Sequence, residues 1–242
     1  MRLGLTMIAA VLACSATALL GHPATAIHDA ARPAADVARD AARKPAEMLE
    51  FAHVGHGTKV ADFIPGHGYW TRLFAVAAKP GGSVVAIVPE GAAKLDAEGA
   101  AMITAIAADK AYGDVSVVAT PADPAVTGLD VFWTAQNYHD LHNALPPQGV
   151  AGVNRAVFAA LKPGGYYVVV DHAAPGTGLA ATKTLHRIDA ATVKAEVIAA
   201  GFVLDGESTA LTNPADPHTA IVFDPSVRGK TDQFALRFKK PG

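Results

Sequence analysis

Short runs of β-branched and aromatic residues alternate with alanine-rich stretches along most of this chain, and that alternation constrains its fold more than any other feature. The strand-like runs lie at 59–64, 83–88, 115–119, 129–134 and 166–170, and the helical stretches near 70–79, 92–109 and 149–161. Near-continuous apolar strands alternating with helices predict an α/β fold, a parallel sheet covered on both faces. The helix over 149–161 places Val153, Ala156, Val157, Ala160 and Leu161 on one stripe, with Asn154, Arg155 and Ala159 off it. Lys162-Pro163-Gly164-Gly165 stops that helix and turns into YYVVVD, and Asp189 is placed to cap AATVKAEVIAA, which Gly201 ends. Beyond Gly201 the pattern changes to FVLDGES and DQFALRFKK. In the second run Phe234, Leu236 and Phe238 alternate with Gln233, Ala235 and Arg237, so a half-solvated antiparallel final pair is expected.

The amino terminus has the plan of a cleaved secretory signal. Arg2 is followed by an apolar stretch from Leu3 to Leu20, a break at Gly21 to Pro23, and Ala24-Thr25-Ala26 as the small residues before a cut. The expected organisation is a signal peptide over 1–26, a helical lead-in over 27–44 and one domain over 45–242, exported to a periplasm or the medium. Cleavage after Ala26 leaves no stable membrane span. An uncleaved anchor and lipoprotein attachment at Cys14 are the competing processings. Cys14 is the sole cysteine and leaves with the signal, so no disulfide is expected. The lead-in, PAADVARDAARK between Pro33 and Pro45, reads as a solvated helix, and Pro45 suits the first turn of the next one, AEMLEFA.

With 242 residues and 51% hydrophobic content the chain can bury one sizeable core. The formal net charge of −2 gives no basic face for phosphate backbones, which excludes nucleic acid as an expected partner. No G-x-S-x-G nucleophile elbow is present. Oligomeric state is not legible.

Parallel α/β sheets bind ligands beyond the carboxyl ends of their strands, and the first strand-to-helix turn is the usual seat of a nucleotide-like group. Here that turn is VADFIPGHGYWT, residues 60–71. Gly66 and Gly68 allow close backbone approach, and Asp62 can accept from a cationic amino group or orient the loop; a plain tight turn is the alternative.

Taken together, VADFIPGHGYWT, GGSVVAIVPE, LDVFWTAQNYHDLH, LKPGGYYVVVD and the terminal GKTDQFALRFKK resemble the class I S-adenosylmethionine-dependent methyltransferases, and most closely the exported, predicted methyltransferases with an NYHD segment. The resemblance covers essentially the whole chain after the signal. It implies a Rossmann-like, mostly parallel seven-stranded sheet with an antiparallel C-terminal strand and helices on both faces. It also implies S-adenosylmethionine as cofactor, held by Asp62, Gly66, His67, Gly68, Glu90 and Asn137, and a small-molecule acceptor. Two positions depart from the superfamily pattern: Ile64 stands where the first loop glycine belongs, and Val88 where an acid ends the second strand, with Glu90 as its substitute two residues on.

Methyl transfer from a sulfonium needs an acceptor held in line and, where required, deprotonated. His139 is the candidate general base with Asp140 orienting it, and Asn137 and Tyr138 are candidates for contacts to the acceptor or the adenine edge. A bracing role for His139 and Asp140 is the alternative. His172 and His186 are further histidines near the same edge, and a lid is expected over 173–186. His139-x-x-His142 spacing also permits a metal, with His172 or Asp140 completing the shell, but two histidines at that spacing do not assign one. A binding or assembly protein that kept the fold without the reaction is the second functional reading.

Overall fold

The computed structural model describes residues 22–242. The apolar run at 3–20 and Cys14 lie outside the described residues. The elements are α1 (His22–Ile27), α2 (Ala34–Val37), α3 (Asp40–Arg43), α4 (Pro45–Phe51), β1 (Lys59–Phe63), α5 (Tyr69–Ala77), β2 (Ser83–Ile87), α6 (Glu90–Leu95), α7 (Ala97–Ala108), β3 (Val115–Val118), β4 (Leu129–Ala135), α8 (Tyr138–Ala144), α9 (Pro147–Ala160), β5 (Leu161–His172), α10 (Thr182–Leu185), α11 (Ala190–Ala199), β6 (Val203–Ser208) and β7 (Gln233–Lys239). The strands form one seven-stranded sheet in the order β3-β2-β1-β4-β5-β7-β6, parallel except that β7 runs antiparallel to both β5 and β6.

The two faces are covered separately. On one, Leu73 and Phe74 of α5 and Ile103 of α7 pack with Trp133 of β4; on the other, Val150 and Val157 of α9 and Val193 and Val197 of α11 pack with Phe132 and Tyr167. Phe132 and Trp133 are adjacent and so serve opposite faces, as successive residues of a strand must. Trp133 meets Trp70 and Phe74 at ring distances of 4.7 and 5.4 Å, which makes all three part of one core cluster.

Four expectations need correction. The lead-in is two short helices pinned to the domain rather than a solvated rod: Asp36 pairs with Arg72 at 2.7 Å, and Arg32 with Asp40 at 2.6 Å, with Arg32, Asp36 and Arg72 all buried. Asn154 is fully buried, because its amide is needed as a partner for the Tyr138 hydroxyl. The half-solvated strand is β6, at the sheet edge; β7 lies inside it with Gln233, Ala235, Leu236 and Phe238 buried. The 162–165 turn does not delay the strand, since Leu161 already pairs with Leu129 before a register shift.

Pro45 opens α4 as expected, and the Asp189 carboxylate accepts from the Ala191 N–H at the start of α11. Helix α1 packs against α4 and α5 with Ala26 fully buried, so residues just ahead of the expected cut belong to the folded unit here. No helix among the described residues is long and apolar enough to cross a membrane.

Candidate functional site

The sheet order reverses between β1 and β4, where Asp62 aligns with Trp133 and Phe63 with Thr134. Connections leave these two strands in opposite directions, so a crevice opens beyond their carboxyl ends. The loop after β1 turns through three left-handed residues, Ile64 at φ 55°, Gly66 at 54° and Gly68 at 81°. Ile64 thus holds the backbone shape that favours glycine, at the steric cost a β-branched residue bears there.

The two loop glycines do different work. A side chain at Gly68 would run into Ile106 and Ile103 of α7, so that glycine permits helix packing. At Gly66 a Cβ would meet nothing within 4 Å among the described residues, and the backbone faces open space.

That space is a cleft of about 250 Å³ lined by Asp62, Ile64, Gly66, Arg43, Asn137 and Asp140 among others. The glycine loop and the NYHD segment therefore share one cleft. A larger chamber of about 540 Å³ adjoins it, with Arg39, Arg43, His67 and Gln136 common to both. On the β2 side, a niche of about 40 Å³ lies between Gly66, Val88 and Asp96.

Of the sequence candidates, Asp62 is buried at the cleft floor and accepts from the Thr71 hydroxyl at 2.6 Å. Burial pushes its pKa up to about 7, against the opposing pull of Thr71 and Arg43. His67 borders both cavities and pairs with Asp96 at 3.3 Å. Asn137 ties the two loops together: its amide N–H groups reach the carbonyls of Phe63, Ile64 and Ala135 at 3.1 to 3.2 Å, and its oxygen accepts from Thr134.

Four candidates do not line the cleft: Gly68 packs against α7, His139 stands behind Asp140, and Glu90 and Tyr138 point away from it. Glu90 points to solvent and pairs with Lys94 at 2.7 Å. Tyr138 turns into the opposite core, where its hydroxyl donates to Glu196 at 2.9 Å and accepts from Asn154 at 2.8 Å. The hydroxyl's pKa is raised by burial and the nearby carboxylate. His142 goes the same way, to Glu196 at 3.1 Å, so the 139/142 spacing does not converge on one point.

His139 is buried and oriented by Asp171, a residue not singled out in the sequence. Nδ1 meets Asp171 Oδ1 at 2.8 Å, and Nε2 faces His186 Nδ1 and Asp140 Oδ1, each at 3.3 Å. The orienting acid is therefore Asp171, while Asp140 stands between His139 and the cleft. Burial lowers the His139 pKa, but Asp171 and Asp140 outweigh it and hold it at about 10. Asp140, conversely, is held below the usual carboxylate range; burial raises it, and the His139 hydrogen bond and charge prevail. His172 lines the chamber and bonds Thr231 at 2.8 Å; burial pulls its pKa down to about 4 despite Asp171.

Asp171 had one available signal, an acid closing an apolar strand as Asp62 does. Asp96, the acid that borders the niche beside Val88, had another: it precedes a helix and caps it through the Gly99 N–H. Arg39, Arg43 and Arg228 carried none, because only tertiary packing brings them to one chamber.

No protein-family model matches this chain, and no curated protein matches it in sequence. Solved structures share its fold. A SAM-dependent methyltransferase from Aquifex aeolicus is 16% identical over 84% of this chain and 92% of that one, with a TM-score of 0.57. The cyclase SpnF is 17% identical over 86% and 82%, with a TM-score of 0.59. A possible exported protein from Bordetella parapertussis is 18% identical over 81% and 65%, with a TM-score of 0.50. The architecture is the Rossmann-like methyltransferase fold.

Proposed function

We propose that this chain is an exported S-adenosylmethionine-dependent methyltransferase that acts on a small-molecule acceptor. The observation that carries the reading is the open backbone at Gly66, placed at the β1/β4 reversal and facing the cleft it shares with Asp140. The cleft's residues suit the cofactor: Gly66 allows main-chain approach, Asp62 is an acid for a cationic amino group, and Asp96 lies beside Val88 where the second strand offers no carboxylate. When bound, S-adenosylmethionine supplies a methyl group activated on a sulfonium.

The chain's own part is to position the acceptor and take its proton. Asp140 faces the cleft as the carboxylate that receives the acceptor's proton, and His139, itself protonated at neutral pH and braced by Asp171, stands behind it. The adjoining chamber is in the size range of small-ligand sites. Arg39, Arg43 and Arg228 on its wall favour an acceptor with negative charge. SpnF, a cyclase by name, shares the fold, which is why fold alone does not define the reaction.

A second reading, a binding protein without transfer activity, is favoured by one observation: Glu90 is turned to solvent and Val88 leaves the end of β2 without an acid. Calorimetric titration with S-adenosylmethionine and S-adenosylhomocysteine separates the two. The enzyme reading expects saturable binding of both; no heat and no thermal shift at millimolar ligand would leave the binding protein. Export is tested by N-terminal sequencing of protein recovered outside the cytosol. A start at Ile27 is expected, and a chain still carrying α1 would refute the cut after Ala26.

A further inference from the structure

His139 Nε2, Asp140 Oδ1 and His186 Nδ1 form a nearly equilateral triangle. The edges are 3.3 Å from His139 to His186, 3.3 Å from His139 to Asp140 and 3.4 Å from His186 to Asp140. Ligands about 2.0 to 2.1 Å from a tetrahedral zinc ion stand about 3.3 Å apart, whereas an octahedral ion of that size would need them at about 3.0 Å. The triangle matches one face of a tetrahedron. Its fourth corner is left for water or another oxygen, as in zinc sites that do chemistry.

Independent features support a ligand role for these atoms. His139 is fixed from behind: Asp171, fully buried, accepts from Nδ1 at 2.8 Å, which sets the tautomer with its lone pair on Nε2, toward the triangle. A carboxylate holding the far nitrogen is the usual partner of a zinc-bound histidine. His186 is held in a left-handed conformation, φ 54°, at the end of α10, and its ring packs against Phe223 at 4.9 Å. The donor set of two imidazoles and one carboxylate selects a borderline transition-metal ion over calcium or magnesium. These three residues are the one group of histidine, cysteine and acidic side chains among the described residues that converges in this way.

We propose that His139, Asp140 and His186 form a binding site for a zinc-class divalent cation, with Asp171 as the positioning residue behind His139. Asp140 also lines the cleft, so the cation sits at the cleft's edge and can hold an oxygen of a bound molecule. Cation and proton compete for the same His139 lone pair. With the ion bound, His139 is a ligand and the metal-held oxygen is the group that loses a proton. The site stands on these residues alone and does not depend on the methyl-transfer reading.

The test is zinc titration of the full, tag-free chain after chelator treatment, read by competition with a chromophoric chelator, alongside cobalt(II) spectroscopy. One equivalent of zinc and the intense visible absorption of tetrahedral cobalt are expected. His186→Ala and Asp140→Asn, both at partly exposed positions, should each weaken zinc binding about ten-fold or more and abolish the cobalt band, with circular dichroism checking the fold. Stoichiometric binding left intact by both variants would place the ion elsewhere and overturn the proposal. So would the absence of binding, which would leave a protonated His139 hydrogen-bonded between Asp171 and Asp140.

Discussion

Asp171 grips His139 at two points: its Oδ1 meets the imidazole Nδ1 at 2.8 Å, and its Oδ2 accepts the His139 backbone N–H at 2.8 Å. The same Oδ1 also accepts the His172 N–H at 2.7 Å, so one fully buried carboxylate fixes the start of α8 and the end of β5 together. Asp171→Asn would set an amide NH₂ against one of these donors. Loss of a buried charged acceptor should cost about 2–4 kcal/mol, measured by chemical denaturation. A variant as stable as the parent would show that the three bonds contribute nothing net.

The glycines of the β1 loop should respond in opposite ways. Gly66→Val puts a side chain into the open cleft, so S-adenosylmethionine affinity should fall about ten-fold or more, at a stability cost of about 1–2 kcal/mol for the left-handed backbone. Gly68→Ala runs into the Ile106 terminal methyl and should act mainly through stability, by about 1–3 kcal/mol. Calorimetry and thermal unfolding of both variants separate the effects. Unchanged affinity in Gly66→Val would mean the ligand does not lie on this loop.

What could be read from the sequence follows from which forces are local. Strand and helix positions came through because apolar periodicity is written in consecutive residues, and the turn at Gly66 and Gly68 because left-handed backbone selects glycine. Ile64 shows the limit of that code: it takes the same left-handed shape without the residue that would signal it. Asp36 looked solvated because its partner Arg72 is identifiable only once the lead-in is laid on α5, and Arg32 because Asp40 comes within its reach only where the lead-in breaks into short helices. The chamber wall was equally hidden. Phe223, Arg228 and Thr231 come from a stretch between β6 and β7 with no periodicity, and they face Arg39 and Arg43 from the other end of the chain.

Tyr138 is adjacent to His139 yet belongs to another network, with its hydroxyl between Glu196 and Asn154. Helical geometry explains this, since neighbours on a helix point about 100° apart and cannot face the same space. Tyr138→Phe should therefore lower stability by about 1–2 kcal/mol, because Asn154, whose Oδ1 already lacks a partner, loses its remaining side-chain bond. Methyl-transfer rate should stay within about two-fold. A large fall in kcat with stability intact would return Tyr138 to the reacting groups.

Asp62 gives the fold a pH dependence of unusual sign for an aspartate. Its pKa, about 3.9 when unfolded, rises to about 7 in the folded chain because burial penalises the carboxylate more than Thr71 and Arg43 favour it. Between these values the folded state binds more protons than the unfolded one, so stability falls as pH rises from about 4 through 7 and levels off above. Asp62→Asn keeps an acceptor for Thr71 and removes the ionisation. It should be more stable than the parent at pH 8, by about 1 kcal/mol or more, and the advantage should vanish at pH 4. Urea denaturation at pH 4, 6 and 8 measures this, and a difference constant across that range would exclude Asp62 as its source. The same proton reports on the cleft: a cationic amino group bound beside Asp62 favours the carboxylate, so binding near pH 6 should release protons. The apparent binding enthalpy should then change with the ionisation enthalpy of the buffer, an effect that Asp62→Asn removes.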